Sequence, residues 1–170
     1  MKLPSLLDLF KDTILSVALL TETWLKGNYC TVEEMIKNDY GLDIIAYNRP
    51  GKKRGGGMAI VFDPAEMTLT ENKFKREGAE VVSAVGKLAG DTRIFVFYSV
   101  YLPPNLSKAK VERSCEIIAE NIVEMKTRYN EPYFFICGDF NQFGVDGIIE
   151  DLTELRLSTP PLQGTVPGLT

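Results

Sequence analysis

The 170-residue chain contains no histidine, only three cysteines and no surplus of basic residues. Without histidine, no imidazole group of this chain can act as a general base. The cysteines Cys30, Cys115 and Cys137 form no CxxC pair and are odd in number, which argues against a disulfide framework or a zinc site. Cys115 and Cys137 have apolar sequence neighbours. We therefore expect both to be core residues of a protein in a reducing, intracellular setting.

The charge balance and the short apolar segments limit the partners. Because the net charge is −4 and the pI about 5.0, any affinity for DNA must come from a local basic patch. The apolar residues 14–20 are too few to cross a bilayer, and charged residues interrupt the N-terminal apolar stretch, so we expect no membrane partner and no targeting segment. With 45% hydrophobic residues, the chain suits one globular core.

The apolar periodicity and the turn residues predict three helices and six strands in the order α-β-α-β-β-β-β-α-β. We expect helices at residues 4–11, 31–37 and 111–129, strands at 14–20, 42–47, 58–62, 79–88, 92–102 and 133–137, and a further helix at 146–157. The aromatic strand at 133–137 is expected to be buried on both faces. Because a hairpin occurs beside helices, the pattern favours an α+β sandwich of two sheets in helix/sheet/sheet/helix layers.

The residues that follow the strand at 133–137 offer the most chemistry. Gly138 would let the chain leave the strand sharply, and Asp139 and Asn141 come next, at the kind of strand end where open α/β sheets bind ligands. A carboxylate can hold a proton, a water or a hard cation, and an amide can donate to a phosphate oxygen. In an extended chain the two side chains would share one side. The alternative is an Asx turn that caps the strand.

Two other predicted strands end at polar residues. Glu22 follows the strand at 14–20 and could bind a divalent cation, since Mg²⁺ needs only one or two protein carboxylates; an ordinary exposed glutamate is the alternative. Tyr101 lies near the end of the strand at 92–102, where its hydroxyl could donate to a phosphate; a half-buried aromatic is the alternative. We expect Trp24 to be a packing residue at the sheet edge.

A basic, glycine-rich segment lies between the strands at 42–47 and 58–62. Residues 55–57 are all glycine but lead into a strand, with no Lys-Ser/Thr after them, so they do not form a phosphate-binding loop. We interpret them as allowing a close backbone approach. Four basic residues could contact a nucleic-acid backbone or simply form a solvated loop: Arg49, Lys52, Lys53 and Arg54.

Four segments of the chain occur in a specific order: Leu20-Thr21-Glu22-Thr23-Trp24, Arg54-Gly55-Gly56-Gly57-Met58-Ala59-Ile60, Val100-Tyr101-Leu102-Pro103 and Cys137-Gly138-Asp139-Phe140-Asn141. This ordered set resembles the endonuclease/exonuclease/phosphatase superfamily, over nearly the whole chain. The basic, glycine-rich segment most resembles the apurinic-type endonuclease domains of non-LTR retrotransposons. We accordingly expect residues 1–157 to form one partial domain of this kind and residues 158–170 to form an irregular tail.

The resemblance implies metal-dependent hydrolysis of phosphodiester bonds in DNA. By that resemblance Glu22 would bind Mg²⁺ or Mn²⁺, Tyr101 would contact the scissile phosphate, and Asn141 would hold a phosphate oxygen. Asp139 would orient or deprotonate the attacking water, or assist the leaving group. The implied partners are DNA and the rest of a retrotransposon polyprotein, with no small-molecule cofactor. Action on chromosomal DNA would place the protein in the nucleus.

The chain departs from that family in two places. The family's catalytic histidine, in a Ser-Asp-His segment, has no counterpart here, and neither does its early metal-linked asparagine. The resemblance therefore implies a truncated sandwich that is weakly active or inactive, because a positioned general base contributes roughly 10²–10⁴-fold. One alternative is a non-catalytic remnant that at most binds nucleic acid. Another is a phosphatase or phospholipid hydrolase, which the basic segment and the lack of a membrane signal disfavour.

Overall fold

The computed structural model describes residues 3–13, 15–25, 29–48, 56–75 and 77–141. In these ranges the chain forms the elements α1 (Leu3–Asp12), β1 (Val17–Thr21), α2 (Tyr29–Tyr40), β2 (Asp43–Tyr47), β3 (Met58–Phe62), β4 (Met67–Glu71), β5 (Glu80–Leu88), β6 (Phe95–Tyr101), α3 (Lys108–Arg128) and β7 (Tyr133–Asp139). The nine elements predicted within these ranges are confirmed, with shifted ends, and β4 is an addition. The expected helix at 146–157 and the expected tail at 158–170 lie outside the described residues.

The strands form two sheets. Sheet A has the order β1-β3-β2 with antiparallel neighbours, and sheet B has the order β4-β5-β6-β7. Within sheet B only β6 and β7 are parallel, and α3 makes the crossover between them, as parallel neighbours require. Because β6 and β7 run in the same direction, the polar residues at their carboxyl ends come together at one edge of the sheet.

Three apolar clusters define the layers. Met58 and Ile60 of β3 pack against Phe97 of β6 between the two sheets. Val61 lies on the other face of β3 and packs against Leu7 of α1 and Ile36 of α2. The far side of sheet B packs against α3. The residues in this contact are Val81, Val96, Tyr98 and Val100 of the strands and Ile118 and Ile122 of the helix. The predicted helix/sheet/sheet/helix order is therefore confirmed.

The expectation that β7 is buried on both faces is wrong. Phe134 and Ile136 pack against the α3 side, but on the other face Tyr133 is 49% and Phe135 44% exposed. Among the described residues β7 is the outer strand of sheet B, so it has a strand neighbour on one side only. An apolar run indicates burial on both faces only for a strand inside a covered sheet.

Two further expectations about buried side chains are also wrong. Cys137 lies on the same face of β7 as Phe135 and is exposed, although partial burial still raises the pKa of its thiol. Cys115, by contrast, is buried in the cluster against α3, as expected. Trp24 is 60% exposed, so it is not a packing residue.

A buried polar network joins sheet B to α3. The Tyr98 hydroxyl donates to Asn121 Oδ1 at 2.7 Å, and Asn72 Nδ2 donates to the same oxygen at 2.7 Å and to Ser83 Oγ at 3.2 Å. Burial raises the pKa of Tyr98. Two buried donors therefore depend on a single acceptor oxygen.

Replacing Asn121 with alanine is expected to lower the free energy of unfolding by about 2–4 kcal/mol, because two buried donors lose their acceptor. Urea denaturation measures this change. The control is Val123→Ala on the same helix, where the side chain is 58% exposed and a change within about 0.5 kcal/mol is expected. Equal losses in the two variants would contradict the assigned network.

Candidate active site at the strand ends

Tyr101 and Asp139 are neighbours at the carboxyl ends of β6 and β7. They are register partners in the parallel pair, and the Leu102 amide donates to the Asp139 carbonyl oxygen at 2.9 Å. Val100 faces α3, so Tyr101 faces the other side of sheet B, where it packs against the inter-sheet cluster. Residues paired across a sheet share a face, so the Asp139 side chain lies on the same side as that of Tyr101.

Gly138 allows this close pairing. A Cβ at this position would lie 1.8 Å from the Val100 carbonyl oxygen, far inside any allowed contact. The predicted role of Gly138, a sharp exit from the strand, is wrong, since β7 continues through Gly138 to Asp139. The glycine instead allows β7 to lie against the end of β6.

Asp139 and Asn141 form an Asx turn, the alternative that the motif alone left open. The Asn141 amide donates to Asp139 Oδ1 at 3.0 Å, and Asn141 has a φ of +51°, so the expected extended chain is not present. The Asn141 side chain then folds back, and its Nδ2 donates to the Leu102 carbonyl oxygen at 2.7 Å. The turn thus brings the Asn141 amide against the end of β6, beside Tyr101.

Glu22 follows the end of β1, in the other sheet. The end of β1 is tied to β6 by a contact across the two sheets, in which Ser99 Oγ donates to the Leu20 carbonyl oxygen at 3.2 Å. Leu20 lies two residues before Glu22, and Ser99 lies two residues before Tyr101. This contact alone does not say whether β1 and β6 run in the same direction.

A second set of contacts shows that β1 and β6 end at the same edge of the sandwich. The Thr23 amide donates to the Gly57 carbonyl oxygen at 3.1 Å, and the Gly57 amide donates to Glu80 Oε2 at 3.0 Å. Glu80 is the antiparallel partner of Tyr101. The residues after β1 therefore lie beside the carboxyl end of β6. Glu22 accordingly lies at the same edge of the sandwich as Tyr101.

Two carboxylates hold the glycines that precede β3. Glu22 Oε2 accepts a hydrogen bond from the Gly56 amide at 2.9 Å, next to the bond between Gly57 and Glu80. A Cβ on Gly57 would lie 2.6 Å from Thr23 Oγ1, so the glycine lets the Thr23 side chain pack against this backbone. The sequence motifs do not include Glu80. Its signal is a charged residue opening an apolar strand, where a buried carboxylate needs a partner.

The charge of this edge suits a cation. Glu22 and Asp139 place two carboxylates at one edge, which would repel a phosphodiester in the absence of a positive charge. Glu22 and Asp139 offer the oxygen donors that Mg²⁺ prefers. In the described part of the chain no three acidic, histidine or cysteine side chains are close enough to bind one metal ion. Mg²⁺ needs only one or two protein carboxylates, because water and substrate fill the rest of its shell.

Four basic residues that are predicted to contact nucleic acid lie outside the described residues: Arg49, Lys52, Lys53 and Arg54. No helix within the described ranges has the length and apolar character needed to cross a bilayer.

No protein-family model and no curated protein matches the chain. Several solved structures do. The human Nocturnin catalytic domain with a bound sulfate anion is 14% identical, with a TM-score of 0.64 over 88% of this chain and 61% of that chain. ANGEL2, a 2′,3′-cyclic phosphatase, is 16% identical, with a TM-score of 0.60 over 82% of this chain and 43% of that chain.

An endonuclease/exonuclease/phosphatase family protein from Bacteroides thetaiotaomicron is 16% identical, with a TM-score of 0.62 over 89% of this chain and 59% of that chain. The chain thus spans between 43% and 61% of the length of these three structures. Similarity at this level of identity concerns the fold. The chain therefore has the two-sheet α+β fold of the endonuclease/exonuclease/phosphatase proteins, as its ordered motifs predicted.

Proposed function

We propose that this chain is a metal-dependent phosphodiester hydrolase domain that acts on DNA, of the kind found in retrotransposon endonucleases. The proposal rests on one observation above all: Tyr101, Asp139 and Asn141 meet at the joined ends of β6 and β7, with Glu22 at the same edge. Proteins of the same fold include a cyclic phosphatase and a catalytic domain with a bound sulfate, which favours chemistry on phosphoryl groups. The basic, glycine-rich segment before β3 favours the retrotransposon type.

Glu22 would hold the cation, Mg²⁺ or Mn²⁺. Its Oε2 accepts the Gly56 amide at 2.9 Å, so the carboxylate is held in one orientation before a cation arrives. A cation bound there would stabilise the charge that develops on the phosphate and align phosphate and water. Preorganisation of this kind lowers the cost of binding, since the side chain has fewer rotamers to lose.

The other three residues would act on the phosphodiester and the water. Asp139 would orient the attacking water or accept its proton, and its bond to the Asn141 amide keeps the carboxylate in place. The Asn141 side chain donates one N–H to the Leu102 carbonyl oxygen, and the second N–H of the amide would donate to a phosphate oxygen. The Tyr101 hydroxyl would donate to the scissile phosphate.

Turnover is expected to be slow. The chain has no histidine, so its own residues supply no imidazole base. A positioned general base contributes about 10²–10⁴-fold, and Asp139 would have to act without that contribution.

Nicking of supercoiled plasmid DNA tests the proposal. We expect nicking to require Mg²⁺ or Mn²⁺, to stop when EDTA removes the cation, and to fall at least about tenfold in Glu22→Gln. Glu34→Gln is the control, because Glu34 is exposed on α2, which packs on the outer face of sheet A. Nicking that persists in EDTA and is equal in the two variants would refute the metal-dependent mechanism.

A non-catalytic nucleic-acid-binding protein is the second candidate, and the Asx turn favours it, since such a turn accounts for Asp139 and Asn141 without catalysis. This candidate predicts DNA binding that weakens as salt rises and that is unchanged in Glu22→Gln, with no nicking at any cation concentration. DNA binding measured at low and at moderate salt, together with the nicking assay, separates the two candidates.

A further inference from the structure

We propose that Glu80 is a positioning residue, which holds Glu22 at the site through the glycines that separate them. The inference rests on the proposed function, in which Glu22 binds the cation. Glu80 is only 7% exposed, although glutamates are rarely buried without a specific partner. One partner is the Gly57 amide, 3.0 Å from Oε2. Residues 56–57 are called the glycine turn below.

The glycine turn is held from two sheets at once. Glu22, which follows β1 of sheet A, accepts the Gly56 amide, and Glu80, at the start of β5 in sheet B, accepts the Gly57 amide. These two amides are consecutive, and only two backbone dihedrals separate them. A displacement of Gly57 is therefore transmitted to Gly56 and to the carboxylate that Gly56 holds.

The residues around Glu22 need such support. Glu22 and Trp24 have φ angles of +53° and +55°, a left-handed conformation that residues with a Cβ adopt at a cost. The Trp24 amide donates to the Gly56 carbonyl oxygen at 3.0 Å, and the Thr23 amide donates to that of Gly57. The strained segment is thus bonded to the glycine turn, and the glycine turn is bonded to Glu80 in sheet B.

Two conservative variants separate positioning from direct ligation. Glu80→Gln keeps the length of the side chain and an acceptor oxygen for the Gly57 amide but removes the charge. Glu80→Asp keeps the charge but is one methylene shorter, so it cannot reach the amide in the same way. A positioning role predicts damage in Glu80→Asp and near-normal behaviour in Glu80→Gln. A role as metal ligand predicts the reverse, because ligation depends on the charge.

The first readout is hydrogen exchange of the backbone amides, followed by NMR. In Glu80→Asp we expect the amides of Gly56 and Gly57 to exchange about tenfold faster, because the shorter side chain no longer accepts the Gly57 amide and the glycine turn loosens. In Glu80→Gln both amides should exchange as in the unmodified protein. Thermal unfolding of each variant shows whether faster exchange is local or reflects global destabilisation.

The second readout is Mn²⁺ affinity. It is measured on the unmodified chain, on Glu80→Asp, on Glu22→Gln and on the double variant that carries both substitutions. We expect Glu80→Asp to weaken Mn²⁺ binding about tenfold, and to weaken it no further once Glu22 is already replaced. Unchanged exchange at Gly56 in Glu80→Asp, equal damage in Glu80→Gln, or a full effect in the Glu22→Gln background would each overturn the proposal. If the unmodified chain binds no Mn²⁺, the proposed function fails, and exchange at Gly56 still decides whether Glu80 controls the glycine turn.

Discussion

Replacing Asp139 with asparagine is expected to lower the rate of metal-dependent nicking by about 10²–10⁴-fold while leaving the fold intact. Asparagine keeps an oxygen that can accept the Asn141 amide, so the Asx turn survives, but it cannot take a proton from water or attract a cation. The side chain is exposed, so the free energy of unfolding should change by less than about 0.5 kcal/mol. Rates of plasmid nicking and urea denaturation of the same preparation measure the two quantities.

Asp63→Asn is the matched control for this substitution. Asp63 forms the same kind of turn, with Oδ1 accepting the Ala65 amide at 2.8 Å, but it follows the opposite end of β3 from the glycine turn. We expect Asp63→Asn to nick DNA at the unmodified rate. If Asp139→Asn behaves like Asp63→Asn, the carboxylate of Asp139 serves only the turn, and the catalytic assignment fails.

Replacing Gly138 with alanine is expected to lower the free energy of unfolding by about 3 kcal/mol and to abolish nicking. The new Cβ would lie 1.8 Å from the Val100 carbonyl oxygen, and backbone atoms cannot rotate away as a flexible side chain can. The strands β6 and β7 must then separate at the point where Tyr101 and Asp139 are paired. Urea denaturation measures the loss of stability, and the nicking assay measures the loss of the site.

Gly90→Ala is the control for the alanine substitution. Gly90 lies between β5 and β6 with a φ of +73°, and a Cβ there would meet no heavy atom within 4 Å. The change should cost only about 1–2 kcal/mol from the left-handed conformation, with nicking unaffected. Similar losses of stability at the two positions would mean that β7 can move away from β6 without harm, contrary to the close pairing.

Much of the fold is predictable from local pattern. The apolar stripe of α3 has the helical repeat, and β3 is a five-residue apolar run before a turn, so both are confirmed within a few residues. The strand β4 is not among the predicted elements, although it alternates buried Met67 and Leu69 with exposed polar residues, as a half-buried strand does. It is only five residues long, and its pairing with β5 makes it part of sheet B.

The candidate site is predictable only as a set of residue types at strand ends. Glu22, Tyr101, Asp139 and Asn141 follow apolar strands, so a polar residue at each end is visible in the sequence. Their roles remain predictions until the substitutions are measured. The prediction that β7 is buried on both faces is wrong, because the burial of a strand depends on its neighbouring strands and on the layer that covers them. A single strand carries no information about that.

The amino-acid sequence by itself determined the elements, the strand ends that carry polar groups and the glycines that allow close contact, because these depend on neighbours a few positions apart. Tertiary structure alone decided which strand ends meet. The bond from Gly56 to Glu22 joins residues 34 positions apart, and that from Asn141 to Leu102 joins residues 39 apart. The first follows from the pairing of β1 with β3 in sheet A, and the second from the pairing of β6 with β7 in sheet B. The packing of the two sheets against each other then brings the buried Glu80 to the Gly57 amide.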